Sequence, residues 1–61
     1  MKFSLDIRCD NAAFDDAPGA EIAKLLRDVA ERFDGVRNLP EQSALLRDAN
    51  GNRVGAWKLS K

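Results

Sequence analysis

Apolar and polar positions alternate without a break through the first ten residues. Phe3, Leu5, Ile7 and Cys9 fall on one side, and Lys2, Ser4, Asp6, Arg8 and Asp10 on the other. A period of two over this length predicts a strand across residues 2–10 with one dry and one wet face. The period then lengthens. Between 20 and 33, Ile22, Leu25, Leu26, Val29, Ala30 and Phe33 recur at helical spacing, and Glu21, Lys24, Arg27, Asp28, Glu31 and Arg32 cover the remaining surface. Lys24–Asp28, Arg27–Glu31 and Asp28–Arg32 stand four apart with opposite sign, each pair adding about 0.2–0.5 kcal/mol to a helix. Residues 11–19 connect the two elements. Asp15 or Asp16 is expected to cap the helix, Pro18 suits its first turn, and Phe14 is placed to staple onto its apolar face. Asp34-Gly35 ends it, because glycine takes up the left-handed conformation of a C-terminal cap.

Residues 36–43 carry neither period and contain Pro40, which reads as a loop. A β-hairpin is predicted over 44–60. Ala44–Asp48 leads in, Arg53–Leu59 leads out, and Asn50-Gly51 between two apolar runs is a strong turn signal. Two registers are open. A two-residue Asn-Gly loop pairs Asp48 with Arg53, whereas a type I turn with a Gly51 bulge pairs Asp48 with Asn52. The order β-α-β-β then gives one α+β domain over 1–61, with a single amphipathic helix packed on a three-stranded sheet. The direction of the first strand stays open. The expected core is Phe3, Leu5, Ile7, Ile22, Leu26, Val29, Phe33, Leu46 and Trp57.

Strict alternation places Val54 and Ala56 on one face of the last strand and Trp57 and Leu59 on the other. One helix can cover only one face, so the surplus must meet solvent or another chain. A small domain with little core often gains stability by pairing, and a three-stranded sheet has two open edges. Leu45, Val54, Ala56, Trp57 and Leu59 are therefore the expected interaction surface. The expected partner is a second copy, as a homodimer, or another protein.

Three phrases extend the picture: Asn11-Ala12-Ala13-Phe14, Leu25-Leu26-Arg27-Asp28-Val29-Ala30, and Leu46-Arg47-Asp48-Ala49-Asn50-Gly51-Asn52-Arg53-Val54-Gly55. Together they resemble a group of short proteins encoded in bacteriophages and prophages. The resemblance runs over most of the chain and is weakest at 36–43. That group has no established activity. The resemblance therefore implies a phage or prophage origin, with a host or phage protein as a further candidate partner, and brings no site residues with it.

Composition narrows the chemistry. The 61 residues hold ten Lys+Arg, ten Asp+Glu, no His, no Tyr and one Cys. Without His, acid–base work would fall to carboxylates, Lys or Cys. The only adjacent acidic pair, Asp15-Asp16, is explained by helix capping, and Cys9 falls on the dry face of its strand, where it is expected to be buried. No catalytic residue and no cofactor is expected. Asp48, Asn50 and Asn52 alternate like calcium ligands, but an EF-hand loop begun at Asp48 would put Arg53 where glycine is needed and Leu59 where glutamate is needed. No metal site is expected.

Zero net charge argues against a strong electrostatic grip on nucleic acid or an anionic membrane. The alternative function is still a nucleic-acid binder that uses Arg8, Arg47, Arg53 and Lys58, with Trp57 stacking on a base. Asp6 and Arg8 break any apolar leader, no stretch reaches membrane-spanning length, and a lone cysteine fits a reducing compartment. The expected location is the cytoplasm.

Overall fold

In a computed structural model, which describes Met1–Lys61, the chain forms β1 (Lys2–Ile7), a single 3-10 turn (Ala12–Phe14), α1 (Pro18–Phe33), β2 (Gln42–Arg47) and β3 (Arg53–Ser60). The strands make one antiparallel sheet in the order β1-β3-β2, so the strand last in sequence lies in the middle. The α+β fold with the order β-α-β-β is the one the sequence predicts, and β1 runs antiparallel to β3.

Element ends differ from the sequence pattern for local reasons. The ladder of β1 closes where the Arg8 N–H donates to the Val54 carbonyl at 2.7 Å. Beyond that point β3 has almost no residues left to pair, so the chain leaves the sheet and Cys9 is exposed rather than buried. Neither Asp15 nor Asp16 caps α1. Ala17 holds that position with no side-chain hydrogen bond, and Pro18 opens the helix without needing an acceptor for an N–H. Asp15 instead closes the 3-10 turn, its N–H donating to the Ala12 carbonyl at 3.1 Å. The C-terminal stop is as predicted, with Gly35 at φ 78°. β2 takes in Gln42 and Ser43 from the expected loop, because the longer β3 offers them Leu59 and Lys58 as partners.

The hairpin adopts the second of the two registers. The Gly51 N–H donates to the Asp48 carbonyl at 3.0 Å, and the Asp48 N–H to the Asn52 carbonyl at 2.8 Å. Gly51 sits at φ 83°, the left-handed conformation of a glycine bulge. The ladder slips once more further on. Leu46 lies opposite Gly55 but Arg47 lies opposite Arg53, which leaves Val54 without a partner on β2. Such a bulge re-aims a side chain, and here Val54 joins Trp57 and Leu59 in the core.

That core is Phe14, Leu25, Val29, Leu46, Val54, Trp57 and Leu59, with Leu5, Ile7, Ile22 and Phe33 packed partly buried around it. Trp57 is its centre. Phe3 stacks on its ring at 6.0 Å, the edge of Phe33 meets it at 5.2 Å, and the Arg32 guanidinium lies 5.5 Å from its centroid. Two expected core residues are exposed, Phe3 at 45% and Leu26 at 47%. Leu25 and Val29 take the central positions of the apolar stripe. Leu26, one step round the helix, lines an open groove with Phe3 and Leu5. Phe14 was expected only as a staple and is instead fully in the core, carried there by the 3-10 turn.

Gly55 lies opposite Ile7 in the ladder, where β1 passes close by. A Cβ on Gly55 would overlap the Asp6 carbonyl oxygen and crowd the backbone of Ile7. Gly55→Ala should therefore cost about 1–3 kcal/mol, the range for forced overpacking. Gly19, in the first turn of α1, has open space around it, and Gly19→Ala should stabilise by about 0.4–1 kcal/mol. Urea unfolding of the two variants checks both signs.

Candidate interaction surface

A groove opens between α1 and β1. Its volume is about 430 Å³, and all nine residues that line it are hydrophobic. Met1, Phe3 and Leu5 form its floor from the strand side. Leu26, Ala30 and Phe33 form its wall from the helix, and Leu39 closes one end from the loop after α1. Met1 is 79% exposed, and Val36 in the same loop is exposed too. Phe3 is fixed by an edge contact to Phe33 at 5.5 Å as well as by Trp57, so the groove floor is ordered by the core beneath it.

The residues expected to form the interaction surface separate into two groups. Val54, Trp57 and Leu59 are each at most 4% exposed and belong to the chain's own core, so they offer nothing to a partner. The bulge is the reason for Val54, since strict alternation would have put it beside Ala56. Leu45 and Ala56 face one another across the ladder on the sheet face away from the helix, both exposed. The apolar surface free for contact is thus mainly the groove of Phe3 and Leu26. Sequence reasoning assigned both residues to the core. The available signal was the breadth of the helical stripe, whose six apolar positions span more arc than a narrow sheet can cover.

The four basic residues are not brought together as one patch. Arg8 and Arg53 line a shallow concavity on the open sheet face, and Asp6 lines it with them. Lys58 lies further along that face, between Ser4 and Ser43 in the ladder. Arg47 is held away from them by the turn, its Nη1 donating to the Gly51 carbonyl at 3.1 Å. Trp57 is buried and presents no face for a base.

The Asp48 carboxylate is saturated from within. Its Oδ1 accepts from the backbone N–H groups of Asn50 and Asn52, both at 2.9 Å, and its Oδ2 accepts from the Asn11 side chain at 3.1 Å. Turn chemistry thus accounts for the calcium-like spacing. Beside it, the Ala49 N–H donates to the Glu21 carboxylate at 3.1 Å, so the turn is tied both to the segment after β1 and to the first turn of α1. Burial of Asp48 opposes its ionisation. The hydrogen bonds from Asn52, Asn11 and Asn50 outweigh it and hold the carboxyl below the ordinary aspartate range.

No helix is long and apolar enough to cross a membrane. The fold defines the chain as a small α+β protein with an open-edged sheet and an apolar groove beside one edge. Comparison with protein-family models, with curated proteins and with solved structures returns no match.

Asp48 gives the site a pH signature. Its folded-state pKa is lowered, so its contribution to stability is complete above the unfolded value of about 4 and is lost as pH falls through the lower folded value. Thermal unfolding followed from neutral pH downwards should show Tm falling from about pH 4. The fall should be smaller in Asp48→Asn, which has no charge to lose.

Proposed function

We propose that this chain is a non-catalytic phage or prophage accessory protein that acts through protein–protein contact, as a homodimer. The observation that carries the reading is the groove: a wholly hydrophobic, solvent-open surface on a chain otherwise rich in charge. Isolated exposed apolar residues are ordinary, but a continuous patch rimmed by polar residues marks an interaction site. The phage or prophage part rests on the resemblance carried by the hairpin phrase around Asn50-Gly51. The cytoplasm is the proposed compartment, where the exposed thiol of Cys9 stays reduced. Nucleic-acid binding ranks below this reading, because the acidic Asp6 shares the concavity of Arg8 and Arg53 and Arg47 is engaged in the turn.

Sedimentation equilibrium of the wild type and of Leu26→Glu tests the proposal. The wild type should associate with rising concentration and Leu26→Glu should stay monomeric. At a concentration low enough for the wild type to be monomeric too, the two Tm values should nearly coincide, since exposed substitutions usually stay within about 0.5 kcal/mol. A wild type that remains monomeric throughout would remove the homodimer. Binding to an oligonucleotide that falls steeply with salt would favour the nucleic-acid reading instead.

A further inference from the structure

We infer that the second copy docks strand to strand along the free edge of β1, about a two-fold axis at Ser4, and so continues the sheet to six strands. This names the contact behind the homodimer reading and rests on it. The argument begins with the backbone. Arg8 donates its N–H to the Val54 carbonyl, and the register runs from there to Lys2 opposite Ser60. In an antiparallel ladder this makes Lys2, Ser4, Asp6 and Arg8 the residues bonded to β3. Phe3, Leu5 and Ile7 therefore point their N–H and C=O groups to the unpaired edge.

An edge strand pairs with a copy of itself in only a few registers that respect that alternation. Placing Ser4 opposite the partner's Ser4 puts Phe3 opposite the partner's Leu5, and their outward backbone groups then bond directly. The same register sets Lys2 opposite the partner's Asp6, twice by symmetry, so the wet face carries two opposite-charge cross-strand pairs. Moving the axis to Leu5 would set Lys2 against the partner's Arg8, a like-charge pair. The strand's own charge order thus selects the register.

The axis stands perpendicular to the sheet, so both helices lie on the same side and the two apolar grooves meet. Phe3 faces the partner's Leu5 on their floor, with Met1 and Leu26 beside them. The other edge does not serve this purpose. β2 reads Gln42-Ser43-Ala44-Leu45-Leu46-Arg47 and contains no carboxylate to answer Arg47 when it meets a copy of itself.

Cysteine pairing tests the register. Ser4 opposite the partner's Ser4 is a non-hydrogen-bonded pair, with Cα atoms about 4.5 Å apart, inside the range a disulfide spans. In a Cys9→Ser background, Ser4→Cys should oxidise to a covalent dimer. Asp6→Cys alone should not, but a mixture of Lys2→Cys and Asp6→Cys chains should form the mixed disulfide. Lys2→Asp should weaken dimerisation about tenfold, and Lys2→Asp combined with Asp6→Lys should restore it. If the wild type dimerises but Ser4→Cys cross-links no better than Asp6→Cys, the edge pairing is overturned while the homodimer stands. A wild type that stays monomeric overturns both.

Discussion

The rest of the molecule depends on how the Asp48 carboxylate closes the hairpin turn. By accepting from Asn50 and Asn52 it selects the five-residue turn with Gly51 left-handed, and so sets the phase in which β3 enters the sheet. The slip at Val54 then corrects that phase by one residue. As a result Val54 joins Trp57 and Leu59 in one buried cluster, although simple alternation would split them. The bonds from Asn11 and to Glu21 bring the ends of β1 and α1 onto the same turn. A buried polar group is costly unless satisfied, and here two of the bonds that satisfy Asp48 and Glu21, those from Asn11 and from Ala49, also join segments distant in sequence.

β3, the last element in sequence, is the middle of the sheet. Its pairing on both sides means that neither β1 nor β2 has a stable place until the chain's C-terminal strand is in register. Gly55 shows how close that assembly is, since the β1 backbone at Asp6 leaves no room for a side chain there. Trp57 anchors the other direction. It gathers Phe3 from β1, stacked, and Phe33 from α1, edge-on, against one ring, and aromatic pairs of these kinds add about 0.5–1.5 kcal/mol beyond burial.

The same geometry exposes what makes the chain a candidate interaction module. A 61-residue chain buries only about 60% of the surface it exposes when unfolded. With only one helix on the sheet, the inner face of β1 is covered only in part, and Phe3 stays 45% exposed. The uncovered remainder is the groove beside an unpaired strand edge. A bare edge and an apolar groove thus lie side by side, one carrying unpaired backbone groups and the other uncovered apolar surface.

The elements and their order were legible in the sequence because each rests on local chemistry: the alternation of Phe3, Leu5 and Ile7, the helical stripe from Ile22 to Phe33, the Gly35 stop and the Asn50-Gly51 turn. The two hairpin registers were legible too, but not the choice between them. The Asp48 carboxylate makes that choice, and tertiary structure holds it in place through Asn11 and Glu21, which reach Asp48 and Ala49 from far along the chain. Tertiary structure also decided which side of the helical stripe is covered. Leu25 and Leu26 are equivalent to any periodicity, and only the seating of α1 on the sheet buries one and exposes the other. The strand pattern alone put Cys9 in the core, yet where β1 ends depends on where β3 begins. Local pattern determines what an element is, whereas burial depends on neighbours that the pattern does not contain.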